Sequence, residues 1–356
     1  MIPAETPKTA PSNRLGFLDW TRGFAVTIIL QGHVFDSFSR KDLRTSGPFV
    51  LSQFFGGLAP ALFLVLTGVT LAFMMHRNDK PEISLRRRWL RALRRAGYLF
   101  LLAFGLRFQL WLFALGQSQW TDLFRVDVLN CMGLSMALMS VLAMVSTQTR
   151  AHCAAILGMA MALASPLISE VDWSWVHPFI ANYWVPSYAY FAIFPWGAFI
   201  ALGISFGSIL RLVDAPDRNR LMQWASIVGL AMVIGGQYFA NLPYTAYSKS
   251  EFWLNSPMQV CVKTGVVLLL MSAAFVWSEY LSPNGWSWMR QLGTTSLLVY
   301  WVHIELVYGR WFGKYKESLT TPQVVASSLT LMVAMLGLSL LQTWWRKRSA
   351  RAPVSV

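Results

Sequence analysis

Ten apolar stretches follow one another along the chain, near residues 17–37, 49–75, 96–115, 127–147, 152–169, 187–210, 221–240, 257–278, 291–311 and 322–345. Most reach about the 20 residues that an α-helix needs to cross roughly 30 Å of hydrocarbon. Only 13% of the residues are charged, about half the ~25% of a soluble domain. Such a chain cannot surround a core with a water-facing surface. In lipid every backbone N–H and C=O must be satisfied internally, so helices and closed barrels are the available spanning forms. The sequence therefore predicts an all-α polytopic membrane bundle of about ten transmembrane helices. Residues 1–13 read as a polar tail, 14–345 as one membrane domain and 346–356 as a basic tail. Ten spans within 356 residues leave no room for a sizeable soluble domain.

The net charge of +14 would suit a nucleic-acid partner, but its distribution assigns it to topology. With the N-terminus inside, 19 of the 30 Lys and Arg fall in cytoplasmic segments and 8 in outer loops. Arg22, Arg107 and Lys263 lie within spans. The positive-inside rule then puts both termini in the cytoplasm, and nucleic acid is not needed. Trp and Tyr gather where interfaces fall, as at Trp173, Trp175, Trp344 and Trp345, giving an aromatic belt. The first apolar run lacks a small-residue cleavage site, which disfavours a cleaved signal peptide. Cys131, Cys153 and Cys261 are odd in number, sit in apolar stretches and form no pair motif, so neither a disulfide framework nor a zinc site is expected. Pro60 and Pro195 fall inside expected spans, where they would interrupt the helical ladder beside a cavity.

Chemistry concentrates in the first stretch. Arg22 and His33 are eleven steps apart, about three turns plus 20°, so one helix face carries both, about 16 Å apart along the axis. Asp36 stands one turn beyond His33, at a spacing where it can orient the ring and support its protonated form. Asp19 has the same relation to Arg22. Either residue alone can be an interfacial side chain. Together on one stripe they point inward, because ionisable groups within spans face the bundle interior and mark function. A second basic feature, Arg86 to Arg95, precedes the third stretch, with Arg88, Arg91 and Arg94 at i, i+3 and i+6. Guanidinium groups gathered this way suit phosphates, although a juxtamembrane basic run also fixes topology and binds anionic lipid heads.

These features resemble a known family. Arg22-x10-His33 followed by Arg88-x-x-Arg91, or by Arg91-x-x-Arg94, is similar to the membrane-bound acyltransferase-3 superfamily. The nearer likeness is to the bacterial relatives of the heparan-alpha-glucosaminide N-acetyltransferase catalytic domain. Leu18-Asp-Trp-Thr-Arg-Gly23, Ala59-Pro-Ala-Leu-Phe-Leu-Val-Leu-Thr-Gly68, Asp127-Val-Leu-Asn130, Phe194-Pro-Trp196 and Gly293-Thr-Thr-Ser-Leu-Leu-Val-Tyr-Trp-Val-His303 carry it, in order along most of the chain. One departure is that no large soluble domain flanks the bundle, so short outer loops would have to recognise the acceptor.

The resemblance implies an integral-membrane acyltransferase. It would move an acyl group, acetyl first among the candidates, from cytoplasmic acyl-CoA to a hydroxyl or amine of an extracytoplasmic sugar. Arg88, Arg91 and Arg94 would hold CoA phosphates and Arg22 would guide the thioester region. His33, supported by Asp36, would act as general base or carry the acyl group transiently. The donor is then acetyl-CoA or another acyl-CoA, and no metal is called for. The implied location is multi-pass in a bacterial inner membrane, with the lipid bilayer as surroundings and a homo-oligomer as a compatible arrangement.

Other polar residues are less committed. His303 and Tyr300, one turn apart in the ninth stretch, line an acceptor pocket or link helices. Arg107 has no carboxylate in its own helix and requires a partner from another helix or a bound anion. Asp127 and Asn130 bind acceptor hydroxyls or cap a helix, with capping preferred. Lys263 is expected to snorkel outward, and His76, His152 and His177 to sit at helix ends and in a loop. A different class also fits: a carrier or channel with Arg22 and His33 on an ion or proton path. Against it, Asp19 and Asp36 lie near the helix ends rather than at midspan, and no internal repeat is evident. A non-catalytic scaffold is the third reading, disfavoured by the intact Arg22, His33 and Asp36.

Overall fold

The computed structural model describes residues 15–45, 47–114, 116, 118–244, 246–283 and 285–349. Among these residues the chain is all-α, with no strand beyond one isolated bridge between Ser39 and Leu319. Of the two expected tails, only residues 346–349 fall within the described part, where they end a long helix.

Each of the ten apolar stretches contains helix. In chain order these are α1 (Gly16–Phe38), α2 (Gly47–Gly56), α3 (Ala59–Arg77), α4 (Leu85–Phe113), α5 (Val128–Met139) and α6 (Thr147–Glu170). After the single turn α7 (Pro178–Ala181) come α8 (Ile193–Leu212), α9 (Arg218–Ala240), α10 (Pro257–Val276), α11 (Trp288–Thr294), α12 (Ser296–Tyr308) and α13 (Thr321–Ser349). Among the described residues, six segments are long and apolar enough to cross a membrane: 47–77, 85–113, 147–170, 193–212, 257–281 and 321–349. The remaining stretches fall on α1, on α5 with its following 3-10 turn, on α9, and on the α11–α12 pair.

Two stretches expected as single helices are divided. The 49–75 stretch turns at Gly57 and Leu58, and the 291–311 stretch breaks at Thr295. Pro60 and Pro195 do not interrupt a ladder in mid-helix. Each lies in the opening turn of its helix, α3 and α8, where a missing N–H leaves no bond unmade. The basic run lies on helix, as its i, i+3, i+6 spacing suggested: α4 begins at Leu85, so Arg86 to Arg95 form its first turns.

The core is built around α1, which packs against α2, α3, α10, α11, α12 and α13. One of these neighbours, α11, approaches to backbone contact at two places. A side chain at Gly23 of α1 would collide with the Met289 carbonyl of α11, and one at Gly293 of α11 with the Asp19 carbonyl of α1. Without Cβ atoms these helices touch main chain to main chain, as small residues allow in membrane bundles. Gly68 and Gly203 do the same between α3 and α8. By contrast, α4, α9 and α13 expose large apolar side chains such as Leu101, Ile234 and Val333, the face a lipid solvent accepts.

Candidate active site

His33 and Arg22 share one stripe of α1, and each borders its own cavity. His33 lines a cavity of about 770 Å³ together with Asp36, Arg107, Arg125, Asp127, Tyr308 and Lys316. Arg22 lines another of about 530 Å³ with Thr70, Arg95, Met132 and Ser296. Tyr300 and Val128 line both, so the two spaces adjoin there. Eleven residues of α1, about 16 Å of rise, thus connect a guanidinium in one cavity to an imidazole in the next.

The immediate partners of His33 are not those its own helix suggested. Its Nδ1 lies 3.1 Å from Nε2 of His303 on α12, with the two rings stacked 5.3 Å apart. Asp36 instead accepts the Tyr308 hydroxyl at 2.9 Å, and the Tyr308 ring stands edge-on to His33 at 5.2 Å. Asp36 therefore reaches His33 through Tyr308, and the carboxylate expected to orient the imidazole holds a phenol in place. His303 is fully buried, and the Tyr300 ring meets it edge-on at 5.5 Å.

Arg107 finds the partner that its helix lacks in Asp127, at 3.1 Å. Asp127 also caps α5, accepting from the Leu129 and Asn130 amides at 3.0 and 3.1 Å, while Asn130 accepts the Asp127 amide to complete a capping box. The capping reading of this pair holds. In addition, the Arg107–Asp127 pair forms part of the cavity wall. Lys316, in the loop after α12, donates to the Tyr308 carbonyl at 2.7 Å. Burial pulls its ammonium below the usual lysine range, with Glu305 opposing.

At the other end, Arg22 is held by Asp19 at 2.9 Å and by the Thr70 hydroxyl. Arg88 is engaged on every nitrogen: it pairs with Asp79 and donates to the carbonyls of Ile83 and Lys80. Asp79 in turn accepts from the amide and hydroxyl of Thr147 on α6, so Arg88 fastens the α3–α4 turn to α6. Arg91 donates to Asn78 at 2.7 Å, and Arg94 is exposed. Arg95, one residue beyond the expected phosphate-binding set, is the arginine of this run that lines the Arg22 cavity.

Sequence reasoning overlooked Glu305. It is buried in α12, accepting from Gln109 at 3.4 Å and from Trp311 at 2.9 Å. A carboxylate within an apolar stretch was signal enough to find it. Lys263, expected to snorkel, lies 4.9 Å above the Trp196 ring.

A family model described as heparan-alpha-glucosaminide N-acetyltransferase, catalytic, matches residues 14–244, well over half of the chain. The chain belongs to this family. It is accordingly an N-acetyltransferase-family protein built on membrane helices, and the family uses acetyl-CoA as donor. The match spans α1 to α9, so His33, Arg22, Arg107 and Asp127 lie within it, while Tyr300 and His303 lie beyond. No curated protein is a significant match.

Proposed function

We propose that the chain is a ten-span acetyltransferase with both termini in the cytoplasm. It takes the acetyl group of cytoplasmic acetyl-CoA and passes it to an amine or hydroxyl of an extracytoplasmic sugar. The observation that carries this reading is the pair of adjoining cavities. The Arg22 cavity has arginines at its wall, as a phosphate-bearing donor requires. The His33 cavity has mixed charges, Asp36, Arg125 and Lys316 among them, suited to a polar acceptor. An acyl group delivered past Tyr300 and Val128 would arrive beside His33.

His33 borders the acceptor side and not the donor side, which favours a general base over an acyl carrier. In the proposed step a His33 nitrogen removes the acceptor N–H or O–H proton as that atom attacks the thioester carbonyl carbon. The new C–N or C–O bond forms, the C–S bond breaks, and His33 returns its proton to the departing thiolate. Both substrates must then be bound together, so initial rates should follow a sequential pattern rather than ping-pong.

The test uses the purified chain in nanodiscs, with acetyl-CoA as donor and glucosamine in excess as probe acceptor, following release of CoA thiol. Thiol release dependent on glucosamine, and lost in His33→Ala, is the expected result. A flat response to acetyl-CoA in both thermal stability and thiol release would overturn the reading and leave the carrier alternative to transport assays.

A further inference from the structure

Helices α1 and α12 bring two imidazoles together, and the hydrogen bonds around them have one solution when both rings are uncharged. His303 Nδ1 lies 2.8 Å from the carbonyl oxygen of Val299, one turn earlier on α12. A carbonyl can only accept, so Nδ1 of His303 carries the hydrogen. Its Nε2 is then a bare acceptor, and the atom facing it at 3.1 Å is His33 Nδ1. His33 Nδ1 must donate. The lone pair of His33 is thereby left on Nε2, the nitrogen free to serve the cavity that His33 lines. The opposite arrangement would set two lone pairs against each other beside a fully buried His303, at the cost of an unmade buried hydrogen bond.

We propose that His303 is a positioning residue that fixes the tautomer of His33, with the Val299 carbonyl as the origin of the instruction. The inference rests on the proposed role of His33 as base. The logic is that of a base whose second nitrogen is held by an orienting group, with a neutral imidazole in the position a carboxylate usually takes. When His33 Nε2 accepts the proton of the acceptor amine or hydroxyl, its Nδ1–H bond to His303 becomes charge-assisted. The proton remains on Nε2 until it passes to the departing thiolate sulfur, so the charge on the imidazole pair is restored after each turnover. Neighbouring groups agree with this division of labour. Asp36 is bonded to Tyr308, and the Tyr300 and Tyr308 rings flank the pair edge-on.

The test reads the tautomer directly, in the full-length protein labelled with 15N-histidine and reconstituted in nanodiscs. The chain has five histidines, and single substitutions assign their signals. In the unmodified protein His33 should show hydrogen on Nδ1. His303→Gln, whose amide oxygen can accept the same bond, should keep it there. His303→Leu should release His33 toward the Nε2–H form, with kcat for acetyl transfer to glucosamine falling by about 10²–10⁴-fold, the usual worth of a general base. Stabilisation by acetyl-CoA should persist in both variants, which a merely structural role would not predict. Hydrogen on Nε2 of His33 in the unmodified protein, or a His33 tautomer unmoved by His303→Leu, would overturn the proposal. If His303→Leu fails to fold, the unmodified protein and His303→Gln still decide. The tautomer needs neither donor nor acceptor to be observed, so a locked His33 in a protein that transfers nothing would refute the base role and leave the lock standing.

Discussion

Replacing His33 by alanine should reduce acetyl transfer by about 10²–10⁴-fold while leaving acetyl-CoA stabilisation intact, because the side chain does not line the cavity of Arg22 and Arg95 proposed for the donor. The basic run separates differently. Arg88→Ala breaks the bond to Asp79 that fastens α4 to α6, and should lower stability by about 2 kcal/mol, the scale of a charge-assisted hydrogen bond. Arg95→Ala should leave thermal stability of the ligand-free protein nearly unchanged and abolish much of the acetyl-CoA-dependent gain. Melting curves with and without acetyl-CoA check both, and the reverse pattern would restore Arg88 to the binding set. The stripe of Arg22 and His33 was legible because helical periodicity is a local property of sequence. His33's true partner was not, since His303 lies 270 residues away and no spacing rule relates residues on different helices. Asp36 had the right spacing but a closer suitor in Tyr308. The same limit hid the use of Arg88, whose carboxylate sits across a turn, at Asp79.

Helix contacts in this bundle depend on glycines where main chains touch. At Gly293 a methyl group would meet the Asp19 carbonyl of α1, which has no rotamer to move aside. Gly293→Ala should therefore cost about 1–3 kcal/mol, as overpacking does, and should disturb the Arg22 cavity that Gly293 also lines. Gly337 on α13 meets nothing within 4 Å, so Gly337→Ala should be neutral or gain up to about 1 kcal/mol from helix propensity. Thermal unfolding in one detergent compares the two, and equal effects would refute the packing account. At this scale the sequence performed well on the existence of helices, since long apolar runs in a charge-poor chain have few alternatives. It missed the breaks at Gly57–Leu58 and Thr295. A hydropathy window averages across such turns, because the residues on both sides remain apolar. The prolines were noticed for the right reason and placed wrongly: at helix starts, they mark where the backbone is free of a ladder, not where one is cut.

Taken whole, the charge distribution predicts which ends of the bundle face which side. With Cys131, Cys153 and Cys261 replaced by serine, a cysteine at Arg218 should be shielded from a membrane-impermeant maleimide in intact cells. One at Lys249 should be labelled. The opposite result would invert the proposed direction of transfer. Under the proposed topology, a chain that takes its donor from one side of a membrane and its acceptor from the other also has an electrical duty. Moving one elementary charge through a 100 mV potential is worth about 2.3 kcal/mol, so any continuous wet path between the two cavities would drain the cell's ion gradient with every thermal opening. Tyr300 and Val128, shared by both walls, are where that path would have to run. Their role in the proposed reaction would thus also be that of an insulator, keeping a hydrated ion from following the acetyl group between the two cavities.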